Sequence, residues 1–186
     1  MNIKLIISDF DGTLVDTQKA NFYAYKEVLS GHGICLTEET YRNAFGMRVE
    51  EFMQRIGIHD PQTIKAIRAQ KANLYPTYFE HIKANKPLFS FIKSMKKNNI
   101  PAVLASTAQR INIENLLAYI GEEDCFDLII AGTDINKPKP DPECFLLGMN
   151  HFHCQPEETL IFEDSNVGIE AAKRSGASHI QIKKFI

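Results

Sequence analysis

The chain has 186 residues, 44% of them hydrophobic and 24% charged, with a formal charge of -2 and a pI near 6.3. That is the balance of an ordinary globular protein, one domain or one domain carrying a small insertion, able to bury roughly 70% of its unfolded surface. No concentration of Lys and Arg points to nucleic acid, no apolar stretch is long enough to span a bilayer, and the first residues lack the uninterrupted apolar core of a signal peptide, so cytoplasmic residence is expected.

The run Ile3 to Ile7 is almost continuously apolar and β-branched or Leu, which predicts a short buried strand. It is followed by Asp9-Phe10-Asp11-Gly12-Thr13-Leu14, so two carboxylates leave the carboxyl end of that strand beside a glycine that lets the backbone turn. Open α/β sheets bind ligands at such strand ends, although an Asp- and Gly-rich turn is the competing reading. The period then changes. Phe22, Tyr25, Val28 and Leu29 recur at helical spacing, and Gly31 and Gly33 can end that helix. A second helix starts at the cap Thr37 and carries Tyr41 and Phe45, and a third carries Val49, Phe52, Met53 and Ile56. Asp60-Pro61 opens a long fourth helix with Ile64, Ile67, Leu74 and Tyr78. With no strand expected between Asp16 and about Lys86, residues 17–86 form a helical block suited to a small bundle.

From Pro87 onward, helices alternate with short apolar runs: helix 87–98 before strand 101–105, helix 109–120 before strand 126–131, helix 142–150 before strand 159–162, and helix 165–175 before strand 179–182. Alternation of this kind means parallel strands joined by crossover helices. The expected fold is therefore α/β, a Rossmann-like core of five parallel strands built from residues 1–16 and 87–186, with the helical block 17–86 inserted after the first strand.

Each later strand ends in polar residues: Ser106-Thr107, then Lys137-Pro138-Lys139-Pro140-Asp141 beyond the third, and Glu163-Asp164-Ser165 after the fourth. Singly, Ser106 or Ser165 reads as a helix cap; four polar ends on one sheet edge read as a site. If the first and fourth strands are neighbours, Asp9, Asp11, Glu163 and Asp164 meet in one crevice. Two carboxylates 4 Å apart repel by about 4 kcal/mol at an effective dielectric of 20, so the cluster calls for a cation. An all-oxygen donor set with water in the remaining positions suits magnesium shared with a substrate phosphate. A lysine at 137 and a hydroxyl at Ser106 would help hold a phosphoryl group. Asp9 is then placed for in-line attack on phosphorus, and Asp11 for protonating the leaving oxygen and later deprotonating water.

The ordered set resembles the haloacid dehalogenase superfamily of phosphatases over nearly the whole chain. Asp9-x-Asp11-Gly12-Thr13-Leu14 is similar to the first motif of that superfamily, Ser106 to the second, Lys137 to the third and Glu163-Asp164 to the fourth. The resemblance implies Asp9 as nucleophile, Asp11 as acid and base, Ser106 and Lys137 as phosphate holders with Thr107 beside them, and Lys137 over Lys139 because the pattern reads Lys-Pro-x-Pro-Asp. It implies magnesium on Asp9, the Asp11 backbone carbonyl and Asp164, with Glu163 close by or acting through water, and a sheet order of 5-4-1-2-3. The helical block resembles the cap of the β-phosphoglucomutase and phosphoglycolate phosphatase group, which would make it the selector of a small phosphorylated metabolite. Arg48 is its candidate substrate contact, and equally an exposed helix-start arginine. Hydrolysis is favoured over a phosphomutase, in which a His tends to occupy the position of Asn21; a non-catalytic phospho-ligand binder is the third reading. The family often continues past the fifth strand, and the shorter end here would expose a sheet edge; monomer and homodimer both remain open.

Cys35, Cys125, Cys144 and Cys154 form no Cys-x-x-Cys pair and read as free, mostly buried thiols. His151-Phe152-His153-Cys154 reads as a solvated helix end rather than a metal site.

Overall fold

The structure, a computed structural model, describes residues 2–45 and 47–183. In chain order it runs β1 (Leu5–Ser8), α1 (Gln18–Gly31), α2 (Glu38–Arg42), α3 (Val49–Arg55), α4 (Pro61–Leu74), a 3-10 helix (Tyr75–His81), α5 (Lys86–Lys97), β2 (Ala102–Ala105), α6 (Arg110–Ile120), β3 (Leu128–Ile130), α7 (Glu143–His151), β4 (Thr159–Glu163), α8 (Asn166–Ser175) and β5 (Ser178–Gln181). Contacts divide the chain into two units, Met1–Asp16 with Lys83–Ile186, and Thr17–Ile82.

The first unit is built on a parallel five-stranded sheet in the order β3-β2-β1-β4-β5. Read from the β5 edge this is 5-4-1-2-3, the order that the family resemblance implies. All four residues of β1 are buried because it is the central strand, with Ile7 opposite Val103 on one side and Ile161 on the other. Leu5, Ile7, Val103, Phe145, Met149, Ile161 and Ala171 pack into one apolar cluster, so the strands are fixed in register and their carboxyl ends are held level.

Two expectations are corrected here. A short antiparallel ribbon pairs Val15 with Ala84 and Asp16 with Lys83, and the Asn85 side chain donates to the Thr13 carbonyl at 3.0 Å. Residues 83–86 therefore belong with the sheet unit and the second boundary falls at 82/83; a two-residue strand is too short to show any periodicity. The fourth α-helix also stops at Leu74, and Tyr78 lies in the 3-10 helix. Pro76 is the physical reason, since it has no N–H for an α-helical bond and crowds the preceding turn.

The helical unit has its own core, in which Phe22, Tyr25, Leu29, Tyr41, Phe52, Met53, Ile64 and Ile67 meet. Thr37 caps α2 by accepting from the Thr40 N–H at 3.1 Å, and Asp60 caps α4 by accepting from the Thr63 N–H at 2.8 Å.

Candidate active site

Ser8 ends β1 opposite Leu104 and Phe162, and the chain leaves the sheet at Asp9, whose N–H donates to the Phe162 carbonyl at 2.9 Å. The loop beyond folds back on itself: the Gly12 N–H donates to the Val15 carbonyl at 2.8 Å, and the Leu14 and Val15 N–H groups both donate to the Phe10 carbonyl. Gly12 has a φ of +95°, and a Cβ there would lie 2.2 Å from an Asp164 carboxylate oxygen. Only glycine brings this backbone so close to that carboxylate. Thr13 Oγ1 donates to Asp164 Oδ1 at 3.0 Å.

As β1 and β4 are neighbours, Asp9 lies beside Glu163, the last residue of β4, and Asp164, the next. One carboxylate oxygen from each of the three falls within 4.8 Å of the others. Asp9 is 7% exposed and Glu163 1%. Asp11, half-buried, is bridged to Val15 in the same loop.

The lysine that meets these carboxylates is Lys139, not Lys137. Its ammonium lies 2.6 Å from Asp9 Oδ1 and 2.8 Å from Glu163 Oε1, with the side chain 5% exposed. It also donates to the Ala105 carbonyl at 3.3 Å and sits 5.0 Å from the centre of the Phe145 ring. Lys137 is exposed, its backbone N–H donates to Glu143 Oε2 at 2.6 Å, and it lines an open cleft of about 320 Å³ with Asp141 and Glu143 but without Asp9, Glu163 or Asp164. The sequence contains two overlapping Lys-Pro-x-Pro frames, beginning at 137 and at 139, and the Glu143 contact shows which one faces outward.

Ser106 follows β2 and is buried, its N–H donating to the Ile130 carbonyl at 2.9 Å. Its Oγ accepts from the Ala108 N–H at 3.1 Å, which leaves the hydroxyl proton available for donation elsewhere. Thr107 is exposed, and its carbonyl oxygen would be 2.2 Å from a Cβ on Gly132. Arg110 and Asp134 pair at 2.6 Å and close this loop from outside. Arg48 belongs to the other unit, where it is exposed and is the N-cap of α3; Gly46, two positions before it, lies outside the described residues.

Charge in the crevice is unbalanced. Burial pushes the Asp9 carboxyl well above the usual range, Glu163 and Asp164 push the same way, and Lys139 opposes them. Burial, then Glu163, pushes Asp164 up to about 6. Burial disfavours the Lys139 ammonium, but Asp9 and Glu163 more than offset this and hold it charged. One cation among three carboxylates, all with oxygen donors, is a set into which a divalent cation fits. Glu163 is the least available of the three, since Oε1 accepts from Lys139 and Oε2 from the Ser165 N–H at 2.7 Å and the Ser165 hydroxyl at 3.0 Å.

Sequence reasoning quotes Thr13 only as part of the first motif, sets Lys139 aside for Lys137, and gives Gly132 and Gly168 no role. For Gly168 there is a signal, because glycine inside a helix needs a packing reason. Among the described residues, His151–Cys154 ends α7, and the Cys154 thiol contacts the Phe152 carbonyl. All four cysteines are free, with Cys125 and Cys144 buried and Cys35 exposed.

A model of the haloacid dehalogenase-like hydrolases matches residues 6–182. The chain is 32% identical over 185 residues to a phosphorylated carbohydrates phosphatase of Thermotoga maritima, covering 96% of this chain and 84% of that one. It is 26% identical over 183 residues to a fructose-1-phosphate phosphatase of Escherichia coli, covering 96% and 95%. The crystal structure of CbbY from Rhodobacter sphaeroides in complex with phosphate superposes with a TM-score of 0.87 at 26% identity, covering 98% of this chain and 87% of that one. The chain belongs to the haloacid dehalogenase-like hydrolases, and within them it is a phosphatase, a hydrolase of phosphoric monoesters. Among the described residues no helix is long and apolar enough to cross a membrane.

Proposed function

We propose that the chain is a magnesium-dependent phosphatase of a small phosphorylated carbohydrate, working through a phosphoaspartate on Asp9 and acting in the cytoplasm. The observation that carries this reading is the buried Lys139 ammonium, shared by Asp9 and Glu163 at the edge where β1 and β4 end. A lysine so placed fixes the reacting carboxylate and meets the phosphoryl oxygens with a positive charge.

Asp9 is the nucleophile. One of its oxygens bonds to phosphorus while the bond from phosphorus to the ester oxygen breaks, and Asp11 gives its proton to that leaving oxygen. Water then attacks phosphorus and Asp11 takes its proton. The bond between phosphorus and Asp9 breaks, releasing inorganic phosphate and restoring the carboxylate. Lys139 and the Ser106 hydroxyl hold the phosphoryl oxygens, with Thr107 beside them. Asp9, Asp164 and the Asp11 carbonyl would hold magnesium, which, when bound, neutralises the carboxylates and draws charge from the phosphoryl group.

Two relatives named for phosphorylated carbohydrates and for fructose 1-phosphate support the substrate class. Residues 17–82 are assigned substrate choice, with Arg48 as the contact to a second polar or anionic group. The mutase reading is weaker, because Asn21 stands where a His is expected and its amide donates to the Thr17 carbonyl at 3.1 Å. The test is a phosphate-release screen over sugar phosphates, phosphoglycolate and nucleotides with magnesium. Asp9→Asn should lower the rate by about 10³-fold or more; full activity in that variant would falsify the nucleophile, and release confined to nucleotides would remove the carbohydrate assignment.

A further inference from the structure

We propose that Gly168, in the first turn of α8, is a positioning residue for the reaction: with no side chain there, the Glu163 carboxylate can lie against the helix and hold Lys139 on Asp9. This rests on the roles given above to Asp9 and Lys139.

A Cβ built on Gly168 would lie 1.9 Å from Glu163 Cδ and Oε1 and 2.3 Å from Oε2. No pair of atoms tolerates that approach, so a methyl group must displace something. The Glu163 backbone is held in β4, paired with Gln181 of β5, so it is the carboxyl end that has to move. That end is fully engaged. Oε1 accepts from Lys139 at 2.8 Å, and Oε2 accepts from the Ser165 N–H and hydroxyl, while Ser165 Oγ accepts in turn from the Gly168 N–H at 3.0 Å. A line of hydrogen bonds thus runs from the start of α8 through Ser165 and Glu163 to Lys139 and Asp9. Displacing the carboxylate takes Lys139 off its second anchor.

Helix propensity works the other way, because alanine is the better helix former. A merely structural glycine at this site would accept alanine without loss of turnover. Gly148 of α7 is the matched control: it is also helical, and the nearest atom to its built Cβ is the end of the Ile7 side chain at 3.1 Å.

The experiment compares the parent, Gly168→Ala and Gly148→Ala, using p-nitrophenyl phosphate turnover with magnesium, the folded fraction by circular dichroism, and magnesium binding by calorimetry. Gly168→Ala should lower kcat per folded molecule by about 10- to 100-fold, with KM and the magnesium Kd each within about threefold of the parent and Gly148→Ala within about twofold in kcat. Parental kcat in Gly168→Ala overturns the proposal. So does a magnesium affinity that falls by the same factor as kcat, because Glu163 would then be acting as a cation ligand. If Gly168→Ala does not fold, Glu163→Gln takes its place with the same expected and overturning results. Full activity in Asp9→Asn defeats the underlying reading; an inactive Asp9→Asn beside an unimpaired Gly168→Ala defeats only this one.

Discussion

In the sheet unit three carboxylates gather at strand ends and the Lys139 ammonium pairs with two of them, Asp9 and Glu163, whereas in the helical unit the Lys71 ammonium lies 3.7 Å from the centre of the Tyr75 ring and 5.5 Å from that of Tyr25. The first arrangement collects like charge and stays poised for a cation and a phosphoryl group. The second sets a cation against aromatic faces inside a packed core. The Arg68–Glu50 ion pair of the helical unit, at 2.8 Å, lies at its surface and contributes little to stability. The proposed chemistry therefore rests on the geometry of one unit, while the substrate choice proposed for the other has to be drawn out by measurement.

The sharpest way to break this contrast is to compare the two lysines. Lys139→Ala should lower kcat by about 10²- to 10³-fold, since a fixed donor to developing charge is lost. Lys137→Ala should stay within about twofold in the same steady-state assay, a side chain so exposed being nearly neutral to change. Equal losses in both would return the phosphate-holding role to Lys137.

A smaller effect is expected from the helical unit. Arg48→Ala should raise KM for the true sugar phosphate about tenfold, the scale of one charge-assisted hydrogen bond, and leave p-nitrophenyl phosphate unchanged. Parallel changes for both esters would make Arg48 an exposed helix-start residue and nothing more.

The smallest effect concerns magnesium and pH. Burial raises Asp9 well above the usual range and Asp164 to about 6, so the cation-free fold binds protons that the unfolded chain, with carboxylates near 4, has already released. The sign follows directly: this contribution to stability is present at low pH and is lost as pH rises through about 6 and beyond. Magnesium meets ready carboxylates only on the high side. At about 100 times its Kd it should raise Tm by roughly 5–10 °C at pH 7.5, and by clearly less at pH 5, in a thermal melt. A larger shift at pH 5 would argue against a cation on Asp9 and Asp164.

Much of this was legible in the sequence because buried parallel strands read as apolar runs and their polar ends stand out. Val103, Leu104 and Ala105 ahead of Ser106, or Ile161 and Phe162 ahead of Glu163, mark both the strand and the edge where a ligand binds. Lys139 was not legible in the same way. Two lysines two residues apart fit one motif, and only the contacts of Glu143 and the burial of the second tell them apart. The ribbon at Lys83–Ala84 left no trace because two residues have no period, whereas Pro76 was in plain view and simply outweighs the apolar spacing on either side of it. The close approaches at Gly12 and Gly132 depend on residues far away in the chain, and spacing alone carries no record of them, whereas Gly168 meets Glu163 just before its own helix.

The central place of β1 has a consequence for synthesis on the ribosome. The strand that leads into Asp9 leaves the exit tunnel ahead of the other four strands described, yet its two edges are claimed by β2 and β4, and β4 is followed at once by Asp164. On the role proposed for Asp9, a nascent chain carries its nucleophile well before the partners that surround it. The site proposed here is therefore complete only once the fourth strand has docked beside the first.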